Sequence, residues 1–384
     1  MDQTLEQNEN HHNNRGVFLV PIDGIGKGHN HRVVLLCGLF VILMTLGLVN
    51  LYSASLGLPH FWAQIRNLTV VLIAFITVGW FIPVRRVNSL ALVLYAFICV
   101  LLLLVDVLGR VAGGAQRWIS LGFISFQPSE FAKLTTIILV ANYFHRNRST
   151  LPYRLKDLWP LGMLVGIIFV LIFTQPDFGT AGVCLIIAVC QLAFIRIDMR
   201  TIWLVLSAVP IVGAFGWSFL LMDYQKRRVL NLLNPELDPQ NTGYHAMQSL
   251  IAIGSGNLFG KGYMQGTQTQ LRFLPERHTD FIFAVFAEEH GFWGSTLVFL
   301  LFAALAYVAL DVAKHARDTF SGLLAVGICS LIFIEFIINV AMVLGLFPVV
   351  GIPLPFFSYG SSSLLTICVG LGLLISIERS ALSK

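Results

Sequence analysis

The chain reads as an all-α polytopic membrane protein of about ten transmembrane helices, with both termini cytoplasmic and a large external loop between helices 7 and 8. Three observations predict this class. Of 384 residues, 56% are hydrophobic and only 12% are charged, about half the charged share that keeps a soluble domain wet. Apolar runs near the roughly 20 residues needed to cross a bilayer recur from Val33 to Ile377. One long polar stretch, residues 222–280, interrupts them. The economical reading is a single membrane domain over residues 31–384.

Taken in order, residues 1–30 are polar, rich in His and Asn, and without apolar periodicity. They predict a disordered cytoplasmic tail that lacks the apolar segment of a cleavable signal peptide. No strand precedes Gly24-Ile25-Gly26-Lys27-Gly28, so this is a poor phosphate-loop candidate. Run length and flanking polar residues place spans at 33–53, 62–82, 88–108, 126–144, 158–174, 179–195, 201–221, 281–311, 320–345 and 355–377. With the amino terminus inside, the short inner connections carry Arg85, Arg86, Arg146, Arg148, Arg154, Lys156, Arg196, Arg200, Lys314 and Arg317. The short outer ones carry Arg110, Arg117 and at most Arg66. This excess of inner positive charge fixes the orientation and puts residues 222–280 outside, where a loop of that length escapes the charge rule.

Six cysteines, Cys37, Cys99, Cys184, Cys190, Cys329 and Cys368, all lie in apolar runs and form no CxxC pair, so they read as packing residues. The net charge of +5 comes without the interleaved bases and aromatics of a nucleic-acid surface, and topology accounts for it. In the long loop, Asn234-Pro235 and Asp238-Pro239 break the chain, and residues 244–253 keep a helical apolar spacing that predicts a short interfacial or re-entrant helix. Gly254, Gly256, Gly260, Gly262 and Gly266 follow and permit tight turns or a close backbone approach.

Charged groups at membrane depth are costly and mark either function or helix pairing. Glu130 and Lys133, three residues apart, predict a mutual salt bridge, with substrate contact as the alternative. Glu335 and Asn339 share a face and read as helix-packing glue, a carboxyl bonded to an amide. Asp177 before Gly179-Thr180 reads as a helix cap or as a group at a cavity mouth. Glu288 and Glu289 cannot both ionise easily side by side in lipid, and His290 is placed to pair with them. The densest constellation is Pro275-Glu276-Arg277-His278-Thr279-Asp280. There Asp280 is either the N-cap of the eighth span or a partly desolvated general base.

A family resemblance rests on Gly114-Ala115-Gln116-Arg117-Trp118-Ile119, Phe126-Gln127-Pro128-Ser129-Glu130, Gln175-Pro176-Asp177-Phe178-Gly179-Thr180, the 275–283 stretch, and Pro353-Leu354-Pro355 with Ser358-Tyr359-Gly360. In this order and spacing they resemble the shape, elongation, division and sporulation (SEDS) family of bacterial cell-wall polymerases, over essentially the whole chain after the tail. Ile251-Ala252-Ile253-Gly254-Ser255-Gly256, Gly260-Lys261-Gly262 and Gly266-Thr267-Gln268 look like its elongation branch rather than its division branch. Two departures are Ser361, where the family often has glycine, and His290, where it often has leucine.

The resemblance implies a peptidoglycan glycosyltransferase of the bacterial cytoplasmic membrane that extends β-1,4 glycan strands from lipid II outside the cell and releases undecaprenyl diphosphate. It assigns the general base to Asp280, with Glu276 supporting. Cationic help for the diphosphate is open among Arg117, Lys133, Lys261, Arg277 and a divalent cation such as Mg or Mn. Glu130, His278 and Asp177 join them as candidate substrate-binding residues, while Lys226, Arg227 and Arg228 read as a cluster that steers anionic headgroups. Implied partners are lipid II, membrane lipid, a class B penicillin-binding protein and other elongation-complex membrane proteins, with no nucleic acid. Two rival classes stay open: a lipid-linked precursor flippase and a non-catalytic scaffold. Acids concentrated toward the outer half, without an inverted repeat, favour the enzyme.

Overall fold

The computed structural model describes residues 29–56, 59–112, 115–121, 124–147, 152–233, 242–271, 273–274 and 276–382. The expected tail before residue 29, both chain breaks at 234–239 and Pro275 lie outside this set. The long apolar helices are α1 (His29–Ser55), α2 (Pro59–Phe81), α3 (Val84–Leu108), α5 (Leu155–Thr174), α7 (Met199–Phe215), α11 (Ile282–Lys314), α12 (Thr319–Val343) and α13 (Ser361–Leu382). These eight are long and apolar enough to cross a membrane. Two further expected spans are α4 (Pro128–Arg146) and the 15-residue α6 (Phe178–Leu192). The first is polar for a span and the second short, and α4 is nearly wholly enclosed by its neighbours.

Burial sorts the helices by what they face. Most of α12 and α13 is buried, whereas the apolar stretch of α7 has no buried residue. A helix that is apolar all round and exposed requires lipid around it. Close approach of α2 and α13 depends on small residues: a Cβ at Gly372 would sit 2.9 Å from the Phe75 carbonyl, the small-residue packing that helices use where lipid offers no hydrophobic drive. At the opposite end to Asp280, Arg32 of α1 pairs with Asp311 of α11 at 2.6 Å and with Glu378 of α13 at 2.8 Å.

Two features depart from the expected all-helical chain. Between α3 and α4 lies a small antiparallel sheet, β1 (Arg110–Ala112), β2 (Ala115–Leu121) and β3 (Ile124–Phe126), in that order. Val111, Trp118, Ile119, Ile124 and Phe126 supply the β-branched and aromatic residues that suit strands. The last expected span also starts late, because residues 353–360 run as turns before α13 begins at Ser361.

The stretch between α7 and α11 carries α8 (Asp223–Leu233), α9 (Thr242–Ser255) and the single turn α10 (Thr267–Gln270), after a π-helical turn at Gly216–Leu220. The helix expected at 244–253 is thus α9. It is fastened to the bundle by Ser249, whose hydroxyl donates to the Val343 carbonyl at 2.8 Å, and by His245, whose ring stacks on Phe281 at 5.9 Å.

Candidate active site

Asp280 lies on a turn just before α11, and three neighbours fix the backbone there. Asn339 of α12 donates its amide to the Asp280 carbonyl at 2.9 Å and to the Ile352 carbonyl at 2.7 Å. Ser358 donates to the Thr279 carbonyl at 2.6 Å while accepting from the Leu354 amide at 2.7 Å. The Tyr359 amide donates to the His278 carbonyl at 2.8 Å. Gly351, at φ +77°, passes so close that a Cβ there would lie 3.4 Å from Asp280 Oδ2.

The capping alternative for Asp280 fails: Phe281 occupies the N-cap position, and no side chain caps it. The half-buried Asp280 carboxyl is pushed up to about 6, first by desolvation and then by the Glu276 anion, against the opposing pull of the Arg228 guanidinium. Glu276 does not share a helical face with Asp280. It sits in the turn at φ +47° and accepts from the Thr279 hydroxyl at 2.9 Å, so it reaches Asp280 only through space. His278 is held below its usual range by burial and by His60, the two rings lying 4.3 Å apart with Tyr359 edge-on to His60 at 5.1 Å.

The expected cations are engaged by the protein. Arg117, presented by β2, donates to the Gln175 carbonyl at 3.0 Å and to the Pro176 carbonyl, and lies 3.7 Å from Asp177. Asp177 caps α6 by accepting from the Thr180 amide at 3.4 Å and also accepts from Ser129 and Gln127. Lys133, fully buried, joins Glu130 at 2.8 Å to Glu335 of α12. The expected Glu335–Asn339 pair is therefore not formed: a charged partner on α4 claims the carboxylate, and two backbone carbonyls claim the amide. Arg277 donates to the Thr269 carbonyl at 2.7 Å.

Lys261 reaches Glu288 at 2.7 Å, and Glu288 also accepts from Thr267 Oγ1 and the Gln268 amide. Glu289 accepts from Ser53 of α1. His290 instead turns to the Phe286 carbonyl and ring, which corrects its expected pairing with the acids: each acid already has a donor from elsewhere in the chain.

These acids flank a break in α11. Gly291 adopts φ 66°, ψ −160°, and the loop at 257–262 enters the gap. The Lys261 and Gly262 amides donate to the Glu288 and Glu289 carbonyls, both at 3.0 Å, and the Phe292 amide donates to the Asn257 carbonyl at 2.9 Å. Groups orphaned by the break are thereby satisfied, as a membrane interior demands. A Cβ on Gly260 would lie 2.0 Å from the Glu289 carbonyl oxygen, so glycine is required there.

Comparison with known proteins decides the family. Residues 32–382 match the FtsW/RodA/SpoVE model, described as a cell cycle protein. The chain belongs to the FtsW/RodA/SpoVE family. It is 43% identical over 308 residues to the peptidoglycan glycosyltransferase MrdB of Escherichia coli K12, covering 79% of this chain and 82% of that protein. It is 35% identical to the stage V sporulation protein E of Bacillus subtilis over 357 residues, 90% of this chain and 96% of that one. A chain from a structure described as coordinating polymerization and crosslinking by a peptidoglycan synthase complex aligns with TM-score 0.79 and 30% identity, over 91% of this chain and 98% of that one. The rod shape determining protein RodA of Thermus thermophilus aligns at 0.69 with 28% identity, over 91% and 97%.

As a member of this family the chain is a multi-pass membrane protein, and its motifs meet in space. The segment that opens α4 touches α13 where the Gln127 amide donates to Ser362 at 3.0 Å, and the 353–360 turns hold the Asp280 segment. One polar group was left out of the expected site: Arg228 of α8, which acts on Asp280. Gln225, Arg228 and Asn231 recur every three residues, and Gln225 and Asn231 are buried while Arg227 is exposed. That spacing is the signal that could have separated Arg228 from its basic neighbours. Among the described residues no three His, Cys, Asp or Glu side chains gather to hold a metal ion, and the only carboxylate acting on Asp280 is that of Glu276. Such a donor set does not make an all-protein cage, whereas a magnesium ion needs only one or two carboxylates together with substrate phosphates.

Proposed function

We propose that this protein is a peptidoglycan glycosyltransferase that polymerises lipid II into β-1,4 glycan strands during cell elongation, with Asp280 as the general base on the external face of the cytoplasmic membrane. The observation that carries the reading is a carboxylate with raised proton affinity, held on a rigid turn, in a chain 43% identical to a peptidoglycan glycosyltransferase. Asp280 takes the proton of the attacking sugar hydroxyl as its oxygen bonds to the anomeric carbon of the donor. The bond from that carbon to the diphosphate oxygen breaks, its electron pair leaves with undecaprenyl diphosphate, and Asp280 later returns the proton to water. A base whose pKa lies near 6 is ionised at neutral pH yet still basic enough to accept a proton in the transition state. Glu276 supports it by raising that proton affinity.

The likeness to a peptidoglycan synthase complex supports a class B penicillin-binding protein as the partner that cross-links the strands. The deciding experiment purifies the chain with that partner and follows strand formation from lipid II in detergent. Asp280→Asn is expected to abolish polymer while leaving the complex intact. Undiminished polymer would overturn the role of Asp280. Lipid II translocation across vesicles by an intact protein that forms no polymer would install a flippase instead, and stimulation of the partner by an otherwise inert chain would leave a scaffold.

A further inference from the structure

Helix α4 starts at the Asp280 end of the bundle, where Gln127 meets Ser362, so its last residue lies at the far end. There the buried Tyr153 acts as a hub. Its amide donates to the Arg196 carbonyl and its carbonyl accepts from the Asp198 amide, both at 2.9 Å, while its hydroxyl donates to the Asn147 carbonyl at 2.8 Å. Tyr143 of α4 adds a hydrogen bond from its hydroxyl to the Asp157 carbonyl. The end of α4 and the starts of α5 and α7 are thereby drawn together. In sequence their cations belong to two separate connections, but the fold gathers Arg146, Arg154, Lys156, Arg196 and Arg200 around one residue, all of them exposed. The carboxylates among them are those of Asp157 and Asp198, and Asp157 already accepts from the Arg154 amide at 2.9 Å.

The helix that leaves this point is unlike the others. From residue 202 to residue 215 no side chain of α7 is buried, and Thr201, beside the hub, is the buried exception. A helix apolar all round and exposed all round needs hydrocarbon on every side, the side turned to the bundle included. Trp159 of α5 and Trp203 of α7 are 67% and 64% exposed. Each follows a cation, Lys156 or Arg200, by three residues and so lies on the same helix face one turn deeper, where indole rings meet headgroups. Cations, then indoles, then bare apolar helix repeat the order of parts in an anionic phospholipid.

We propose that an anionic phospholipid from the membrane surface opposite Asp280 is bound here as a bridge between α5 and α7, its phosphate on Arg154, Lys156 and Arg200 and its acyl chains along α7. Guanidinium groups suit the task because they bind phosphate oxygens in pairs. A zwitterionic lipid carries a cation of its own, which the cluster repels. The bound lipid ties α7 to the bundle along a length where protein packing does not. The inference stands whatever reaction the Asp280 site performs.

Native mass spectrometry of the full-length protein in detergent, titrated with phosphatidylglycerol or with phosphatidylcholine of the same chains, tests it. The parent is expected to bind the first more tightly. Arg154→Gln with Arg200→Gln should weaken phosphatidylglycerol by about twentyfold or more, at roughly fivefold per charge near a membrane surface, and Arg154→Lys with Arg200→Lys by distinctly less. Arg85→Gln with Arg86→Gln removes two exposed cations from another connection and should leave the affinity unchanged. Equal binding of the two lipids by the parent, parental affinity in the Arg154 and Arg200 glutamine variant, or an equal loss in the Arg85 and Arg86 variant overturns the proposal. Should the Arg154 and Arg200 glutamine variant fail to fold by thermal unfolding, tryptophan quenching by the same lipids brominated near the headgroup decides. Phosphatidylglycerol is expected to quench more than phosphatidylcholine, with the difference abolished by Trp159→Phe and Trp203→Phe together. A difference that survives both substitutions, or none in the parent, overturns it equally.

Discussion

Lys133 sits between two buried carboxylates, and its removal gives a prediction whose size follows from burial. Glu130 is 5% exposed, Glu335 is 0%, and Lys133 itself is 2%. Lys133 lies 2.8 Å from the first and in direct contact with the second. In Lys133→Met the stem is replaced at similar volume while the two carboxylates lose the cation they share. Removing one partner of a buried pair costs about 3–5 kcal/mol, because the remaining charge stays desolvated. With an unfolding entropy near 2 cal/mol/K per residue, that corresponds to a fall of roughly 4–6 °C in Tm. Adding Glu335→Gln to Lys133→Met removes one of the stranded charges and should recover about half of the loss. Thermal unfolding of the three proteins in one detergent measures both effects. A Lys133→Met protein as stable as the parent, or a double variant less stable than the single one, would refute the view that the triad holds α4 to α12.

Two further outcomes follow from the same kind of reasoning. Because the general base proposed at Asp280 would work only when deprotonated, and the carboxyl is raised to about 6, kcat/KM for strand formation should be flat above that value and fall tenfold per pH unit below it. Since the Glu276 anion raises the Asp280 pKa, Glu276→Gln should move this acid limb to lower pH, and a pH profile with no displacement would remove Glu276 from its supporting role. Gly260→Ala should destabilise by about 2–4 kcal/mol, since its Cβ would overlap the Glu289 carbonyl at 2.0 Å and φ is +80°. Gly254→Ala on α9, where nothing lies within 4 Å, should be neutral or stabilising by up to about 1 kcal/mol. Thermal unfolding that ranks the two in the opposite order would rule out the backbone clasp at the α11 break.

The helices were legible because lipid imposes a coarse rule: each crossing needs a long apolar run, and such runs are visible one by one. The pairing of Glu130 with Lys133 was legible too, being local to one helix. What escaped were choices made between distant elements. Glu335 and Asn339 share a face of α12, so sequence spacing suggested that they bond to each other, yet the face meets Lys133 at one level and the 280 and 352 carbonyls at another. The break at Gly291 was hidden because the run on either side stays apolar, and only the inserted loop at 257–262 makes an interrupted helix affordable. Glycines in that loop signalled a close approach without saying to what.

Asp280 itself shows how two local readings are separated by where one residue falls. An aspartate at the N-cap of α11 would be stabilised as an anion by the helix amides and dipole, an effect of about 0.3–1 kcal/mol that lowers its proton affinity. Here Phe281 holds the cap position, which places the Asp280 carboxyl one residue outside the helix and away from its amides. Desolvation with the neighbouring Glu276 anion then acts largely unopposed, save for Arg228, and lifts the pKa from 3.8 to about 6. That rise of about two units is worth roughly 3 kcal/mol, several times what the dipole offers. The clamps from Asn339, Ser358 and Tyr359 hold the backbone of the turn without using the carboxylate. A group meant to cap would spend its oxygens on the helix; this one keeps them for a proton.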